Sequence, residues 1–474
     1  MQKAFVMMSL SRRNLLKASA SLAGCAALGA GLARHAGAAP PPTPLALVAQ
    51  PARMTIGSAT AQSEVMTYGL GETAPSGMPP VLRMRKGEPF AARFTNRLAE
   101  PSTVHWHGLR IDNAMDGVPE LTQPYVYPGD GFDYRFTPPD AGTFWYHPHC
   151  NTLEQMGRGL TGVIVVEDPA DPVFDAEVVL NLRDWRLRPD GSFLEAFKPR
   201  DAARSGTFGT LRTANWRDAP MIDAPAGGLV RLRLAATDVT RIYTLGLAGA
   251  DAVVLSLDGH ATPRPLPLDQ IDLAPGQRAD LVLRMPDGEG MTVTLTNFRG
   301  STPWTVAGLR AVGASAHRAL GDVKALSPNA LSPFDAGSAT RIPLDFTATA
   351  EHAPSPSLCG SIGYTFWAIN KVPWQGDTTD PTAPLAELKL GRSYILEMAN
   401  RTPHAHPIHL HGLTFTIISS NKRDRLPPPT DTILLQPDEK AELALVADNP
   451  GDWMLHCHII EHQKSGMSAY FRVT

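Results

Sequence analysis

Cysteine is scarce in this chain, with 4 among 474 residues, so a disulfide-stapled scaffold is excluded and the core has to come from apolar packing. No run beyond the first forty residues is long and apolar enough to span a membrane as a helix. Basic excess is also missing. The formal charge is −3, and residues 1–38 hold five basic side chains (Lys3, Arg12, Arg13, Lys17, Arg34) and no acidic ones, so without them it becomes −8. A mildly acidic chain of this kind argues against nucleic acid as a partner. Amphipathic helical stripes of several turns are absent too. What is abundant is proline (43) and glycine (40), which punctuate short β-branched or alternating runs such as Glu177-Val178-Val179-Leu180, Val230-Arg231-Leu232-Arg233-Leu234 and Met291-Thr292-Val293-Thr294-Leu295. That pattern predicts an all-β chain of sandwich domains.

Residues 1–38 read as an export segment rather than fold. Ser11-Arg12-Arg13-Asn14-Leu15-Leu16-Lys17 resembles a twin-arginine signal, Ala18–Leu32 is weakly apolar, and Ala36-Gly37-Ala38 offers a cleavage site. The expected route is the twin-arginine export machinery and the expected location the periplasm, with no stable membrane insertion. Two alternatives stand beside it: an anchor that is never removed, and a lipoprotein box, Leu22-Ala23-Gly24-Cys25, that leaves Cys25 lipidated. The apolar run continues past Cys25 to a conventional cleavage site, which favours simple removal.

The two ends of the remaining chain repeat each other. His105-Trp106-His107-Gly108-Leu109 is followed by Gly142-Thr143-Phe144-Trp145-Tyr146-His147-Pro148-His149, and His409-Leu410-His411-Gly412-Leu413 by Gly451-Asp452-Trp453-Met454-Leu455-His456-Cys457-His458. In both, an HxHGL unit precedes a Gly-led strand ending in HxH after a gap of roughly forty residues, as a duplicated domain would give. The predicted division is 45–168, 172–312 and 341–474, with 313–340 as a linker rich in Ala, Ser, Gly and Pro.

Ten of the fifteen histidines fall in these motifs and just beside them. Side chains alternate along a strand, so each pair (His105/His107, His147/His149, His409/His411, His456/His458) points to one side. Eight imidazoles on a shared surface suit a cluster of transition-metal ions. Cys457 must face away from its neighbours, where it can meet His406, His462 and Met467. Two imidazoles, a thiolate and a thioether form the ligand set of a blue-copper centre. A lone HxH is a weak signal and a lone Met commonly fills a core gap, but the whole set at fixed offsets is not explained by packing.

On these residues the chain resembles the three-domain multicopper oxidases, the family of laccases, bilirubin oxidases and bacterial cuprous oxidases. HWHG, HPH, HPIHLHG and HCHIIEHQKSGM carry the resemblance. It implies three cupredoxin-like Greek-key β-sandwich domains and four copper ions. His406, Cys457 and His462 would hold type 1 copper with Met467 axial, and His105 and His409 type 2. The type 3 pair would take His107, His147 and His458 on one ion and His149, His411 and His456 on the other. The implied reaction couples one-electron oxidation of a small reducing substrate to four-electron reduction of O2 to water. Cys457 and His462 would carry the electrons, with His462 nearest the surface, and Asp116 would relay protons. Asp116 also reads as an ordinary turn residue before Gly117. Gln463 departs from bacterial relatives that carry Glu there, and an amide does not relay protons in that manner.

Cys150 and Cys359 remain once Cys25 and Cys457 are assigned, and an even remainder in an oxidising compartment suggests a disulfide. A laccase-like oxidase of phenols leads the functional reading. Its first rival is a cuprous or ferrous ion oxidase, against which the scattered methionines count. A structural cupredoxin-fold protein of cell division is disfavoured by the complete ligand set, and a two-domain nitrite reductase by the HCH motif and the extra domain. No substrate-contacting residue is legible; the stretch from His411 to Pro450, including Pro427-Pro428-Pro429, is a candidate wall by proximity alone.

Overall fold

Short alternating runs become strands because their apolar members can share one face while Gly and Pro end each run. The computed structural model describes residues 43–71, 78–351, 363–374, 383–424 and 427–474. The expected export segment 1–38, with Cys25, and the expected disulfide partner Cys359 lie outside them.

The strands form six sheets that face one another in pairs. In the first pair, Ser63–Leu70, Leu45–Met54, Phe90–Asn96 and Gly131–Phe136 face Leu82–Arg85, Gly162–Glu167, Gly142–His147 and His105–His107. Leu47, Phe94 and Tyr134 of one sheet meet Phe144, Tyr146 and Ile164 of the other in a buried core. A second core joins Leu180, Leu232 and Leu281 to Leu245, Leu295 and Leu309; a third joins Phe346, Leu396 and Leu443 to Leu410, Leu455 and Phe471.

Each sandwich repeats the same crossovers. Its opening strand pairs in parallel with a later one: Leu45–Met54 with Phe90–Asn96, Ala176–Trp185 with Leu229–Ala236, Thr340–Glu351 with Ser393–Asn400. On the opposite sheet the closing strand is likewise paired in parallel: Gly162–Glu167 with Leu82–Arg85, Trp304–Val312 with Met221–Pro225, Ser468–Val473 with Glu387–Leu388. Parallel neighbours cannot be joined by a tight hairpin, so the chain must pass between sheets in each unit, as in a Greek key. The middle sandwich therefore shares the repeat although it has no HxH pair.

The sandwiches are stitched by polar contacts. Val230, Leu232 and Leu234 point into the middle core, which turns Arg231 and Arg233 outward onto Asp280 (2.6 and 3.0 Å). Asp280 also accepts from Thr143 at 2.5 Å, on the strand that leads to His147. Residues 313–339 hold one short turn, Leu320–Asp322, and their Asn329 side chain bonds the backbones of Ala141 and Gly259. Among the described residues no helix is long and apolar enough to cross a membrane.

Candidate metal centre

Four strand ends deliver the HxH pairs to one place. His105–His107 pairs with Gly142–His147 in register His105 to His147, and His406–Leu410 pairs with Gly451–Cys457 in register His409 to His456. Both histidines of each pair share a face, with ring centroids 5.8, 5.9, 4.9 and 5.5 Å apart in chain order. The first and last sandwiches then meet there: His105 stacks on His411 at 3.9 Å and His107 on His409 at 3.7 Å.

Within this cluster the ligand atoms gather into sets whose members all lie within 4.8 Å of one another: His105, His107 and His409; His107, His147 and His458; His149, His411 and His456. His105, Asp116 and His411 form a further such set. Cys457 turns to the opposite face of its strand, where Sγ lies 3.7 Å from His406 Nδ1 and 3.5 Å from His462 Nδ1, the two imidazole nitrogens being 3.0 Å apart. Met467 is buried in the same core, and its carbonyl accepts from the Cys457 N–H at 3.0 Å.

The donor set fits metal ions. His105 Nε2, His107 Nδ1, His147 Nε2, His409 Nε2 and both nitrogens of His149 and His458 are buried without any hydrogen-bond partner. Orphaned buried polar atoms in such number are costly, and ions coordinated among them would satisfy one nitrogen of each ring. The other nitrogen of many rings is already held. His105, His147, His409 and His456 donate through Nδ1 to the carbonyls of Asp116, Pro148, Asp431 and Cys457. His411 donates through Nδ1 to Asp116 Oδ2 at 2.8 Å. These contacts fix tautomer and ring direction before any ion arrives.

Burial lowers the pKa of His147, His149, His456 and His458, and neighbouring imidazoles lower them further; burial also takes His411 and His462 down to about 3. Neutral rings offer lone pairs at ordinary pH. Burial drives the Cys457 thiol well above its usual range, so a metal ion has to displace its proton. Burial also acts to raise Asp116, but His411 and His105 beside it outweigh that and hold the carboxyl below the usual range.

Three contributions were not legible in the sequence. Asp431 flanks the cluster with Oδ1 3.4 Å from His107 Nε2 and 3.3 Å from His409 Nδ1, and Arg278 clamps it at 2.8 and 2.6 Å. An Asp opening the apolar strand Thr432–Leu435 was its only signal. Gly276, at φ +91°, brings middle-sandwich backbone against the cluster: a Cβ there would lie 3.0 Å from His458 Cδ2 and 3.1 Å from His107 Cε1. Glu461 is buried, accepts from the Thr207 N–H at 2.7 Å, and is pushed up to about 7, burial being the largest cause.

His462, expected to lie nearest the surface, is covered rather than exposed. The ring is fully buried, and its Nε2–H donates to the carbonyl of Arg204 at 2.8 Å. Trp367 covers its side at 4.5 Å between centroids and anchors to the Ala202 carbonyl. A strap from the middle sandwich, the short helix Pro199–Ala202 and the residues after it, therefore lies over the histidine. Pro427 lines a different cavity, with Asp258, Arg278 and Thr432. Gln463 is buried with Oε1 unpaired. Cys150 is buried and disulfide-bonded.

Beside the strap lies a cavity of about 440 Å³. It is bounded by Ser205, Phe208, Arg241, Arg299, Pro403, His404, Ala405 and Ile459, with Gln436 and Pro437 from the stretch before Pro450. Ser205 Oγ is 3.1 Å from His404 Nδ1.

Residues 61–171 and 351–474 match sequence profiles of the multicopper oxidases. Multicopper oxidase MmcO of Mycobacterium tuberculosis is 29% identical over 452 residues, 89% of this chain and 85% of that one. Laccase-4 of Trametes villosa is 28% identical over 453 residues, 83% of each chain. The crystal structure of a multicopper oxidase from Pseudomonas thermotolerans superposes with a TM-score of 0.80 at 38% identity, covering 90% of this chain and 98% of that one. Another, from Pseudomonas parafulva, gives 0.79 at 38% identity over 91% and 100%. With the histidine cluster, the Cys457 centre and nearly the full length of these relatives in common, the chain belongs to the multicopper oxidases, copper-dependent oxidoreductases that use dioxygen.

Proposed function

We propose that the chain oxidises small aromatic donors, phenols foremost, one electron at a time, and reduces dioxygen to water with four of those electrons. The cavity beside the strap carries this reading. Its walls include Phe208, Pro403, Pro437 and Ile459, and neither a carboxylate nor a thioether is among its lining residues. A cuprous or ferrous donor would be held by thioethers or carboxylates, and Arg299 would repel it. A cavity of about 620 Å³ does carry Met54, Met78 and Met221, but it is lined by none of the residues around Cys457.

In this reading four copper ions are held as the family resemblance implies. His406, Cys457 and His462 would hold type 1 together with Met467, His105 and His409 would hold type 2, and His107, His147, His458 and His149, His411, His456 would hold the type 3 pair. Copper when bound supplies one-electron redox steps at the first site and a store of electrons for oxygen at the cluster. The protein supplies the path. Arg204 accepts from His462 and Ser205 lines the cavity, so the hydrogen bond ties the cavity wall to the ring. Cys457 shares its strand with His456 and His458, which face the cluster, so a covalent route joins the two centres. Asp116, bonded to His411 at 2.8 Å, is placed to pass protons, and Gln463 is not able to substitute for it. Twin-arginine export of residues 1–38, a periplasmic location and the domain limits 45–168, 172–312 and 341–474 belong to the same proposal.

Oxygen uptake by the copper-loaded mature protein, with a methoxyphenol and with cuprous ion as separate donors, tests the reading. Rapid uptake with the phenol and background uptake with cuprous ion is expected. The reverse would make it a metal-ion oxidase.

A further inference from the structure

We infer that the cavity beside the strap selects aromatic donors bearing a negative charge, such as phenols with a carboxylate or sulfonate substituent, and that Arg299 and Arg204 recognise that charge. This rests on the cavity being the donor site.

The volume of about 440 Å³ suits one substituted ring, at the small end of ligand pockets. Arg241 and Arg299 line it, Arg204 precedes the lining residue Ser205, and the three are not equivalent. Arg241 is committed: it pairs with Asp184 at 2.7 Å and lies 5.0 Å from the centroid of the Phe208 ring, so it fixes an aromatic wall and its charge is offset. Arg299 is free to do more. Its side chain is 39% exposed, its nearest carboxylate is Asp272 at 3.9 Å, and that carboxylate already accepts from Thr244 at 2.6 Å. Its guanidinium makes no hydrogen bond among the described residues.

Arg204 supplies the second cation. Its carbonyl is taken by His462, while its exposed guanidinium has neither an ion pair nor a hydrogen bond among the described residues. It directly precedes Ser205, a lining residue whose Oγ lies 3.1 Å from His404 Nδ1, so its exposed side chain starts at the cavity rim.

Among the described residues no acidic side chain lines the cavity. The carboxylates that touch lining residues stand behind them: Asp184 on Arg241 at 2.7 Å, Asp238 accepting from the N–H groups of Thr240 and Arg241 at 2.9 Å, and Asp272 at 3.9 Å from Arg299; none is itself a lining residue. Guanidinium groups with unused donors, beside an apolar and aromatic wall, match a ring that ends in a planar or tetrahedral oxyanion. Arg241 over Phe208 narrows the opposite side to ring-sized contacts. The combination disfavours cationic donors and gives neutral ones only the apolar wall.

The test is an equilibrium titration of the copper-loaded protein with 4-methoxybenzoate and its neutral counterpart 4-methoxybenzamide at low ionic strength, followed by calorimetry. The benzoate is expected to bind about fivefold more tightly than the amide, as two partly exposed charge contacts would give. That ratio should fall toward one in the Arg204→Gln/Arg299→Gln double variant and shrink in 0.5 M salt. It should persist in Arg299→Lys, which keeps the charge, and in Arg310→Gln, a surface variant away from the cavity. Equal binding of anion and amide by the unaltered protein, or a preference that survives the double variant, would overturn the inference while leaving the phenol reading intact. Binding of neither ring, at concentrations where a methoxyphenol is oxidised, would remove the cavity as the donor site and the inference with it.

Discussion

Asp431 decides two histidines at once, because one carboxylate reaches toward His107 and its own carbonyl and Oδ1 meet His409. Partners behind metal ligands typically matter tenfold or more in affinity. Asp431→Asn keeps the shape but removes the charge that Arg278 balances, so copper affinity at the cluster should fall roughly tenfold. Competition against a chelator, with bound copper counted per chain, measures it; an unchanged affinity would reduce Asp431 to a partner of Arg278 alone. Met467 gives a second outcome of the same kind. A thioether stabilises the oxidised ion more than an alkyl side chain does, so Met467→Leu should raise the type 1 potential in a potentiometric titration. No rise would remove Met467 from the coordination sphere. Asp116 stood out in the sequence only through the family resemblance, which Met115-Asp116-Gly117 carries. Asp431 sits outside every motif, twenty residues past His411, and only folding brings it back to the cluster.

At the scale of elements, the period of the strand made the centre readable. His456 and His458 had to share a face and Cys457 the other, and the structure brings Cys457 to His406 and His462 as that alternation requires. The duplicated HxHGL units likewise announced two related sandwiches, and the third follows the same crossovers without any histidine to advertise it. What the pattern could not convey is the middle sandwich's part in both centres, since its contribution is backbone. Gly276 and the Arg204 carbonyl carry no chemical signature in a sequence. Gly276→Ala probes the first of these. A Cβ at φ +91° is strained by its backbone alone, and it would also press His458 and His107, which have no room to withdraw. The variant should fold with its Cys457 centre intact but bind less copper at the cluster. Copper content and the type 1 absorption read the two centres separately, and a full copper complement would show that the cluster tolerates the displacement.

For the molecule as a whole, the burial that prepares the cluster for copper also sets how the copper-free protein responds to acid. His107, His147, His149, His406, His409, His411, His456, His458 and His462 have folded pKa values below the unfolded value of about 6.5, with burial the largest cause, reaching about 3 for His411 and His462. Between those limits the unfolded chain binds protons that the folded chain refuses, so stability is fully present above about pH 6.5 and drains away as the pH falls toward 3. Each such histidine steepens the loss by at most about 1.4 kcal/mol per pH unit. Copper-free protein should therefore melt at progressively lower temperature from pH 7 to pH 5, and copper should raise the melting temperature at pH 7 by binding only the folded chain. His462→Leu isolates one contribution: without copper its stability should depend less steeply on pH below 6.5 than that of the unaltered protein. Thermal melts of both at pH 7, 6 and 5 are sufficient. Parallel pH curves would mean that the strap lets His462 take up a proton in the folded state, and the Arg204 carbonyl, which accepts from Nε2 in either form, would then be a hinge rather than a seal. A flatter curve for the variant would mean that the strap holds His462 neutral, with Nδ1 free to bind and Nε2 facing the edge of the donor cavity.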